Sequence, residues 1–227
     1  MDLSEQFGNI DIYVFDQLLR GRIRPGMRVF DAGCGGGRNL VYLLRHGYEV
    51  CGNDADPGAI ARVTALAASL APVSAAAGRH GEASRKLTDD SSEASEGGPD
   101  RTFDFRVEPI EQTSFPDAHA DVVIANAVLH FARDEAHFAA MLRQMWRVLK
   151  PGGIFFARLA STIGFADEVT ALGAGRFRLP DGSNWFLIDA KAIESWTGRL
   201  GGTLVDPIKT TIVHEQRAMT TWVAKKL

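Results

Sequence analysis

A glycine-rich turn follows the first predicted strand, in the run VFDAGCGGGRN at residues 29–39. Glycines let the backbone approach a ligand closely, and the helix N-terminus that follows presents unpaired N–H groups to an anion. Asp31, two residues before Gly33, would repel a pyrophosphate and attract an ammonium group. Arg38 stands where the dinucleotide pattern G-x-G-x-x-G/A requires glycine or alanine. The turn therefore predicts a small ligand with an ammonium group and argues against a dinucleotide.

A second acidic residue, Asp54, follows the second predicted strand at residues 48–52. In an open α/β sheet the carboxyl ends of the strands border the ligand crevice, and a carboxylate there can accept hydrogen bonds from both hydroxyls of a ribose. Asp56 precedes Pro57 and is better explained as a helix N-cap. Residues 108–117, after the third strand, could supply an apolar wall and a polar contact for a purine.

Alternating strands and helices must position these residues. Apolar runs alternate with runs at helical spacing, which predicts repeated βα units and a mostly parallel sheet covered on both faces. The tail predicts a β-hairpin, a helix and two strands. The predicted strands are residues 29–30, 48–52, 103–107, 121–125 and 154–157, the hairpin 176–188 and the closing strands 204–213 and 219–223; the predicted helices are 39–45, one beginning at 56–57, 135–150 and 190–200.

The order and spacing of four motifs resemble those of the class I S-adenosylmethionine-dependent methyltransferases. The match covers about residues 27–159, apart from an insertion. It implies an α/β fold with a doubly wound, mostly parallel, seven-stranded Rossmann-like sheet, helices on both faces and an antiparallel final strand. It also implies an enzyme that moves the methyl group of S-adenosyl-L-methionine to an acceptor by in-line displacement. The motifs are Asp31-x-Gly33-x-Gly35-x-Gly37, Asp54, Phe115-Pro116-Asp117 and Leu149-Lys150-Pro151-Gly152-Gly153.

The resemblance assigns the glycine-rich turn to the methionine end of the cofactor. Asp31 would hold the amino group of the methionine moiety, directly or through water. The backbone of the turn would pack against that moiety and the ribose, and the positions concerned are Gly33, Cys34, Gly35 and Gly37. We interpret Cys34 as a small apolar filler within the turn.

The other cofactor residues follow the second, third and fourth strands. Asp54 would bind the ribose hydroxyls, and Ala55 would pack beside the adenine. The segment that contacts the adenine holds Ile110 and Glu111, and the residues expected near the sulfonium and the transferable methyl group are Asn126 and Ala127.

The sequence assigns no catalytic residue. Methyl transfer needs an in-line nucleophile, and a general base only where the acceptor is protonated at the working pH. His130 is a candidate base, although packing or ordering is the favoured interpretation. Three residues are substrate-side candidates: Tyr13 on an N-terminal helix, Arg158 at the end of the fifth strand and Trp185 in the hairpin. The alternatives are helix packing for Tyr13, an ion-paired or solvent-facing role for Arg158 and a core role for Trp185.

The composition is that of a globular chain. It has 227 residues, 45% hydrophobic residues, a net charge of −3 and two cysteines. This balance does not favour nucleic acid, and few cysteines fit a reducing compartment. We expect a cytoplasmic protein with a small-molecule methyl acceptor and no metal, nucleic-acid or membrane partner; the oligomeric state stays open.

We expect one methyltransferase domain over residues 1–227. Within it, residues 1–25 would form a helical cover and residues 161–188 a substrate-side lid. Residues 68–101 are poor in large aliphatic side chains, which predicts a disordered insertion.

Two other functions share parts of this pattern. A non-catalytic S-adenosylmethionine-binding sensor or assembly protein would carry every cofactor motif. An NAD-dependent oxidoreductase would also use a glycine-rich turn, but Asp31 and Arg38 disfavour it.

Overall fold

The computed structural model describes residues 2–70 and 103–227. Five parallel strands form one side of its central sheet, in the spatial order β3-β2-β1-β4-β5. The chain first adds β2 and β3 on one side of β1 and then adds β4 and β5 on the other side. The strand order therefore reverses between β1 and β4, and such a switch point is where doubly wound sheets bind ligands. The strands are β1 (Arg28–Ala32), β2 (Glu49–Asp54), β3 (Phe103–Val107), β4 (Ala120–Asn126) and β5 (Leu149–Ser161).

The other side of the sheet is antiparallel. The final strand β11 (Arg217–Lys226) pairs with β5, β10 (Lys209–Val213) pairs with β11 at the edge, and β9 (Gly202–Leu204) pairs with the end of β11. The predicted doubly wound, mostly parallel sheet with an antiparallel final strand is therefore confirmed.

The predicted single strand at 204–213 is wrong, because β9 and β10 are separate. Pro207 between them has no N–H to donate to a ladder. The preceding Asp206 instead accepts a hydrogen bond from Arg22 at 2.6 Å, which ties the N-terminal segment to this connection.

Helices cover both faces of the sheet. On one face a buried apolar cluster joins Val14, Leu43 and Val63 to the strands, and on the other a second cluster holds Phe138 and Ile193. Burial on both faces explains why the sequence of β4 is apolar almost throughout. The helices are α1 (Leu3–Phe7), α2 (Ile12–Leu19), α3 (Val41–Arg45), α4 (Pro57–Leu70), α5 (Glu135–Val148) and α6 (Ala190–Arg199).

Two predicted helix boundaries are wrong. The helix predicted to begin at Asn39 begins at Val41, because the Asn39 side chain instead accepts a hydrogen bond from the backbone N–H of Asp11 at 3.0 Å. The helix predicted to reach residue 150 ends at Val148, because Leu149 already pairs with β4.

The predicted insertion precedes β3 in the chain, and the predicted hairpin follows β5. Ala68–Leu70 belong to α4 rather than to an insertion, and the rest of the segment to residue 101 lies outside the described residues. The hairpin at 176–188 is confirmed as β7 (Arg176–Arg178) and β8 (Asn184–Phe186). A further strand, β6 (Thr170–Gly173), pairs with β7, so the segment after β5 forms a small three-stranded sheet.

Candidate functional site

The glycine-rich turn is packed tightly at two positions and open at a third. Gly33 and Gly37 have φ values of 69° and 80°, and an added Cβ would lie 2.6 Å and 2.7 Å from side-chain atoms of Val128 and Val63. Gly35 has a φ of 54°, yet an added Cβ there would meet no atom within 4 Å. Side chains therefore pack closely against the turn at Gly33 and Gly37, whereas Gly35 faces open space where a ligand could approach the backbone.

Asp31 at the end of β1 is a buried carboxyl group, with 2% of its surface exposed. Burial raises the pKa of Asp31 to about 7, the charge of Asp54 acts in the same direction, and Arg38 opposes them. A cation bound beside this carboxyl group would favour its ionised form. The position thus fits the ammonium group that the sequence predicts there.

Asp54 connects the second strand to the glycine-rich turn. Its Oδ2 accepts a hydrogen bond from the backbone N–H of Gly35 at 3.0 Å, and its Oδ1 accepts one from the N–H of Asp56 at 2.9 Å. Ala55 beside it is exposed. The structure therefore brings Asp54 and Gly35 together, although 19 residues separate them in the chain.

Cys34 packs inside the turn. Its backbone N–H donates to the carbonyl of Asn53 at 3.0 Å, and its side chain is buried. Burial raises the pKa of the thiol above its usual range, so the thiol is held neutral and unreactive.

The two residues predicted to contact the adenine, Ile110 and Glu111, contact different parts of the structure. Ile110 is buried, and its Cδ1 lies 3.4 Å from where a Cβ on Gly33 would stand, so it contacts the turn. The carboxylate of Glu111 lies 3.1 Å from His137 Nε2 and 3.8 Å from Arg133 Nη2, which directs it toward the start of α5.

Asn126 and Ala127 end the fourth strand beside the turn. Both amide atoms of Asn126 are buried and have no hydrogen-bond partner among the described residues. Ala127 has a φ of 60°, an uncommon conformation for a residue with a Cβ, and its N–H donates to the carbonyl of Arg158 at 2.8 Å.

Two of the substrate-side candidates, Tyr13 at the start of α2 and Arg158 on β5, lie close together. Arg158 Nη1 is 2.8 Å from Oδ2 of Asp11, and its guanidinium carbon is 5.2 Å from the centre of the Tyr13 ring. The Tyr13 hydroxyl is 2.8 Å from Oγ1 of Thr211 on β10. Sequence reasoning missed Asp11; its one signal was an acidic residue directly before the N-terminal helix.

Trp185 and His130 form a different cluster. Their rings stack with centroids 4.5 Å apart, which docks β8 of the small sheet onto the segment after β4. His130 is buried, and its Nδ1 accepts a hydrogen bond from the N–H of Ala160 at 3.4 Å. Burial lowers the pKa of His130 to about 4, with Arg217 acting in the same direction. The contacts are those of a packing residue, with a ring that stays neutral near pH 7.

The described residues contain no group of three or more His, Cys, Asp or Glu side chains placed to hold a metal ion. Within the same residues, none of the helices has the length and apolar character needed to cross a membrane.

The strand order, the glycine-rich turn at the switch point and an acidic residue at the end of β2 define an α/β protein with a Rossmann-like fold. Residues 30–157 match the methyltransferase domain family, which is more than half of the chain. The chain belongs to this family of S-adenosylmethionine-dependent methyltransferases, as the motifs predict.

Two curated relatives come from Synechocystis sp. One is an uncharacterized methyltransferase, 29% identical over 133 residues, which are 59% of this chain and 47% of the relative. The other is a 2-methyl-6-phytyl-1,4-hydroquinone methyltransferase, 30% identical over 131 residues, which are 57% of this chain and 31% of the relative. The matched region thus spans less than half of either relative.

Solved structures share the fold at low sequence identity. An S-adenosylmethionine-dependent methyltransferase from Methanosarcina mazei superposes with a TM-score of 0.66 at 19% identity, covering 92% of this chain and 97% of that chain. A Burkholderia thailandensis 1,6-didemethyltoxoflavin-N1-methyltransferase, solved with 1,6-didemethyltoxoflavin and S-adenosylhomocysteine, superposes with a TM-score of 0.63 at 15% identity, covering 99% and 81%.

Proposed function

We propose that this protein is an S-adenosylmethionine-dependent methyltransferase that methylates a small-molecule acceptor. The observation that carries the proposal is the group formed by the buried Asp31 carboxyl, the open backbone at Gly35 and the Asp54 carboxylate bonded to that backbone. Its donors and acceptors match the separate ammonium and ribose groups of this cofactor, and family membership agrees.

The chain's residues divide the binding of the cofactor among them. Asp31 would hold the ammonium group, Asp54 would bind the ribose hydroxyls, and the backbone at Gly35 would contact the region between. Ala55 and Ile110 would flank the adenine. When bound, the cofactor supplies a methyl group on a sulfonium, which an acceptor nucleophile displaces in line.

The chain would catalyse this reaction mainly by positioning. His130 is packed against Trp185, and with a pKa of about 4 it is a poor general base near pH 7. Holding a nucleophile in line with the methyl group at near-attack distance would lower the barrier, because the entropy of bringing the reactants together is lost on binding.

A small-molecule acceptor agrees with two observations. The net charge of −3 gives the chain no excess of basic residues for nucleic acid. The structural relative from Burkholderia thailandensis is solved with 1,6-didemethyltoxoflavin bound. We propose that residues 1–227 act as one domain, with α1 and α2 as the cover and residues 161–188 as the substrate-side lid. Both cysteines are free, in keeping with the proposed cytoplasmic location.

A thermal-shift screen tests the cofactor assignment. S-adenosylmethionine and S-adenosylhomocysteine should each raise the melting temperature in a concentration-dependent way, because a ligand that binds the folded state stabilises it. Stabilisation by NAD alone would contradict the proposal. A panel of acceptors with labelled S-adenosylmethionine then separates an enzyme from a non-catalytic binding protein.

A further inference from the structure

Three adjacent strands carry polar side chains that lie next to one another, and we call these residues the polar row: Asn126 at the end of β4, Arg158 near the end of β5 and Thr221 within β11. Arg158 pairs in register with Asn126 on one side and with Thr221 on the other. Side chains paired across neighbouring strands point to the same face of a sheet. Phe156, two residues before Arg158, belongs to the apolar cluster beneath α2, so the polar row lies on that face.

Every member of the polar row has a buried polar atom without a hydrogen-bond partner among the described residues. The atoms are Nδ2 and Oδ1 of Asn126, Nε of Arg158 and Oγ1 of Thr221. A buried polar group left unpaired destabilises the folded state, and most such groups in folded proteins are paired. Three of these four atoms, Nδ2, Nε and Oγ1, can donate a hydrogen bond, so together they suit a ligand group that accepts.

The contact between Asp11 and Arg158 shows which kind of group this guanidinium binds. Asp11 places a carboxylate oxygen 2.8 Å from Nη1 of Arg158, while Nε is left without a partner. A planar guanidinium can bind carboxylates at more than one edge. The chain's own carboxylate therefore occupies one donor and leaves another for a second anionic group.

The charges around the polar row favour an anion. Lys209 pairs in register with Thr221, and Arg38 Nη2 lies 3.8 Å from the Asp11 carboxylate. Two cationic side chains, Arg158 at 2.8 Å and Arg38 at 3.8 Å, thus lie against the Asp11 carboxylate, and Lys209 lies beside Thr221 on the neighbouring strand. Asp31 lies on the next strand but one from β5, and in the cofactor complex its charge would be paired with the ammonium group.

The spacing of the strands separates the polar row from the predicted cofactor amino group. Strands in a sheet lie about 4.8 Å apart, so β5 is about 10 Å from β1 and β11 is farther. The cofactor's carboxylate and ammonium are bonded to one carbon atom, and Asp31 on β1 is the residue that would hold the ammonium. Arg158 and Thr221 therefore lie on the acceptor side of the site, and Asn126, on β4 between β1 and β5, separates them from the predicted ammonium position.

We propose that the polar row binds a carboxylate on the methyl acceptor, so that the enzyme's substrates are small organic acids. Arg158 and Asn126 donate to the carboxylate, and Thr221 donates from β11. Asp11 and Tyr13 lie over the row, and an acid would enter by displacing this cover from Arg158. The inference rests on the proposed function and specifies its substrate class.

The experiment measures the binding of matched acids and amides to the complex with S-adenosylhomocysteine. Ligand-observed NMR is run with benzoate and benzamide, and with phenylacetate and phenylacetamide. The acids should bind about tenfold more tightly than the amides, which corresponds to about 1.4 kcal/mol. Absence of this preference would overturn the inference while leaving the cofactor assignment intact. A protein that fails to bind S-adenosylhomocysteine at all would instead overturn the proposed function.

Three variants locate the preference. Arg158→Gln should abolish the preference for acids, while S-adenosylhomocysteine affinity, measured by calorimetry, should change less than about twofold. A larger loss of that affinity would place Arg158 in the cofactor site and overturn the inference.

Thr221→Val removes an unpaired hydroxyl without changing the shape of the side chain, so the fold should persist and acid binding should weaken. Asp11→Asn keeps the helix N-cap that accepts from the N–H of Tyr13 but removes the competing charge, so acid binding should tighten. Unchanged acid affinity in both of these variants would contradict the inference.

Discussion

The two halves of the sheet's carboxyl edge are assembled in different ways. The proposed cofactor half comprises the ends of β1 and β2 and the turn from Asp31 to Gly37, all within residues 31–54. The proposed acceptor half comprises the polar row and the start of α2 over it, where Asp11 forms an ion pair with Arg158, 147 residues away in the chain. The first half is held by backbone geometry and the second by side chains from distant segments. We infer that the cofactor site is fixed by the fold, whereas the acceptor site depends on how the N-terminal cover sits.

The largest expected effect in the cofactor half is that of Asp54→Ala. The substitution removes two charge-assisted hydrogen bonds to the ribose, each worth about 1.5 kcal/mol, so S-adenosylhomocysteine affinity should fall about 100-fold by calorimetry. The matched control is Asp56→Ala, because Asp56 is exposed and caps α4 through the N–H of Gly58. Equal losses in the two variants would contradict the assignment of Asp54.

Gly33→Ala should strongly lower the stability of the folded protein. The new Cβ would stand 2.6 Å from Val128 at a φ of 69°, so the free energy of unfolding should fall by about 2–4 kcal/mol in urea. Gly35→Ala is the control, because it meets no atom within 4 Å and should cost only about 1 kcal/mol of backbone strain. If Gly35→Ala proved as costly, the turn would not be open at that point.

Asp31 should make cofactor binding depend on pH. Only the ionised carboxylate pairs with an ammonium group, and its pKa is about 7 in the free protein. S-adenosylhomocysteine affinity should therefore fall about tenfold between pH 6.5 and 5.5, and Asp31→Asn should bind weakly with little dependence on pH. A flat profile for the unsubstituted protein would count against Asp31 as the ammonium partner.

Asp31 and His130 should have opposite effects on stability as the pH changes. The folded-state pKa of Asp31 is raised, so the folded protein holds a proton that the unfolded chain loses, and this residue lowers stability as the pH rises from about 4 to 7. The folded-state pKa of His130 is lowered from 6.5 to about 4, so the unfolded chain gains a proton first, and stability falls as the pH drops through that range.

The smallest expected effect is that of His130→Gln. At pH 7.5 it should lower stability by about 1–2 kcal/mol through lost packing on Trp185, and it should flatten the decrease in stability below pH 6.5. Urea unfolding at pH 5 and 7.5 measures both. An unaltered slope would show that His130 is not the neutral buried group described above.

The same contrast explains what the sequence could predict. The turn at residues 29–39 and Asp54 follow from strand, glycine and acid spacing, which are local signals. Asp11 was missed because its ion pair with Arg158 depends on how α2 packs against β5, which the local sequence does not show. Thr221 was missed because its importance comes from its register with Arg158, which a lone strand pattern does not encode. Trp185 was placed in a hairpin correctly, but its contact with His130 depends on how the small sheet docks.

The central claim is that S-adenosylmethionine binds at the glycine-rich turn and at Asp54, and chemical-shift mapping tests it most directly. S-adenosylhomocysteine is titrated into the ¹⁵N-labelled protein, and the shift of each assigned backbone amide is measured. The largest changes should fall on the amides of residues 33–37 and on Asp54 and Ala55, with smaller changes at Asn126 and Ala127. Changes concentrated in the small sheet of β6, β7 and β8, with the glycine-rich turn unaltered, would contradict it.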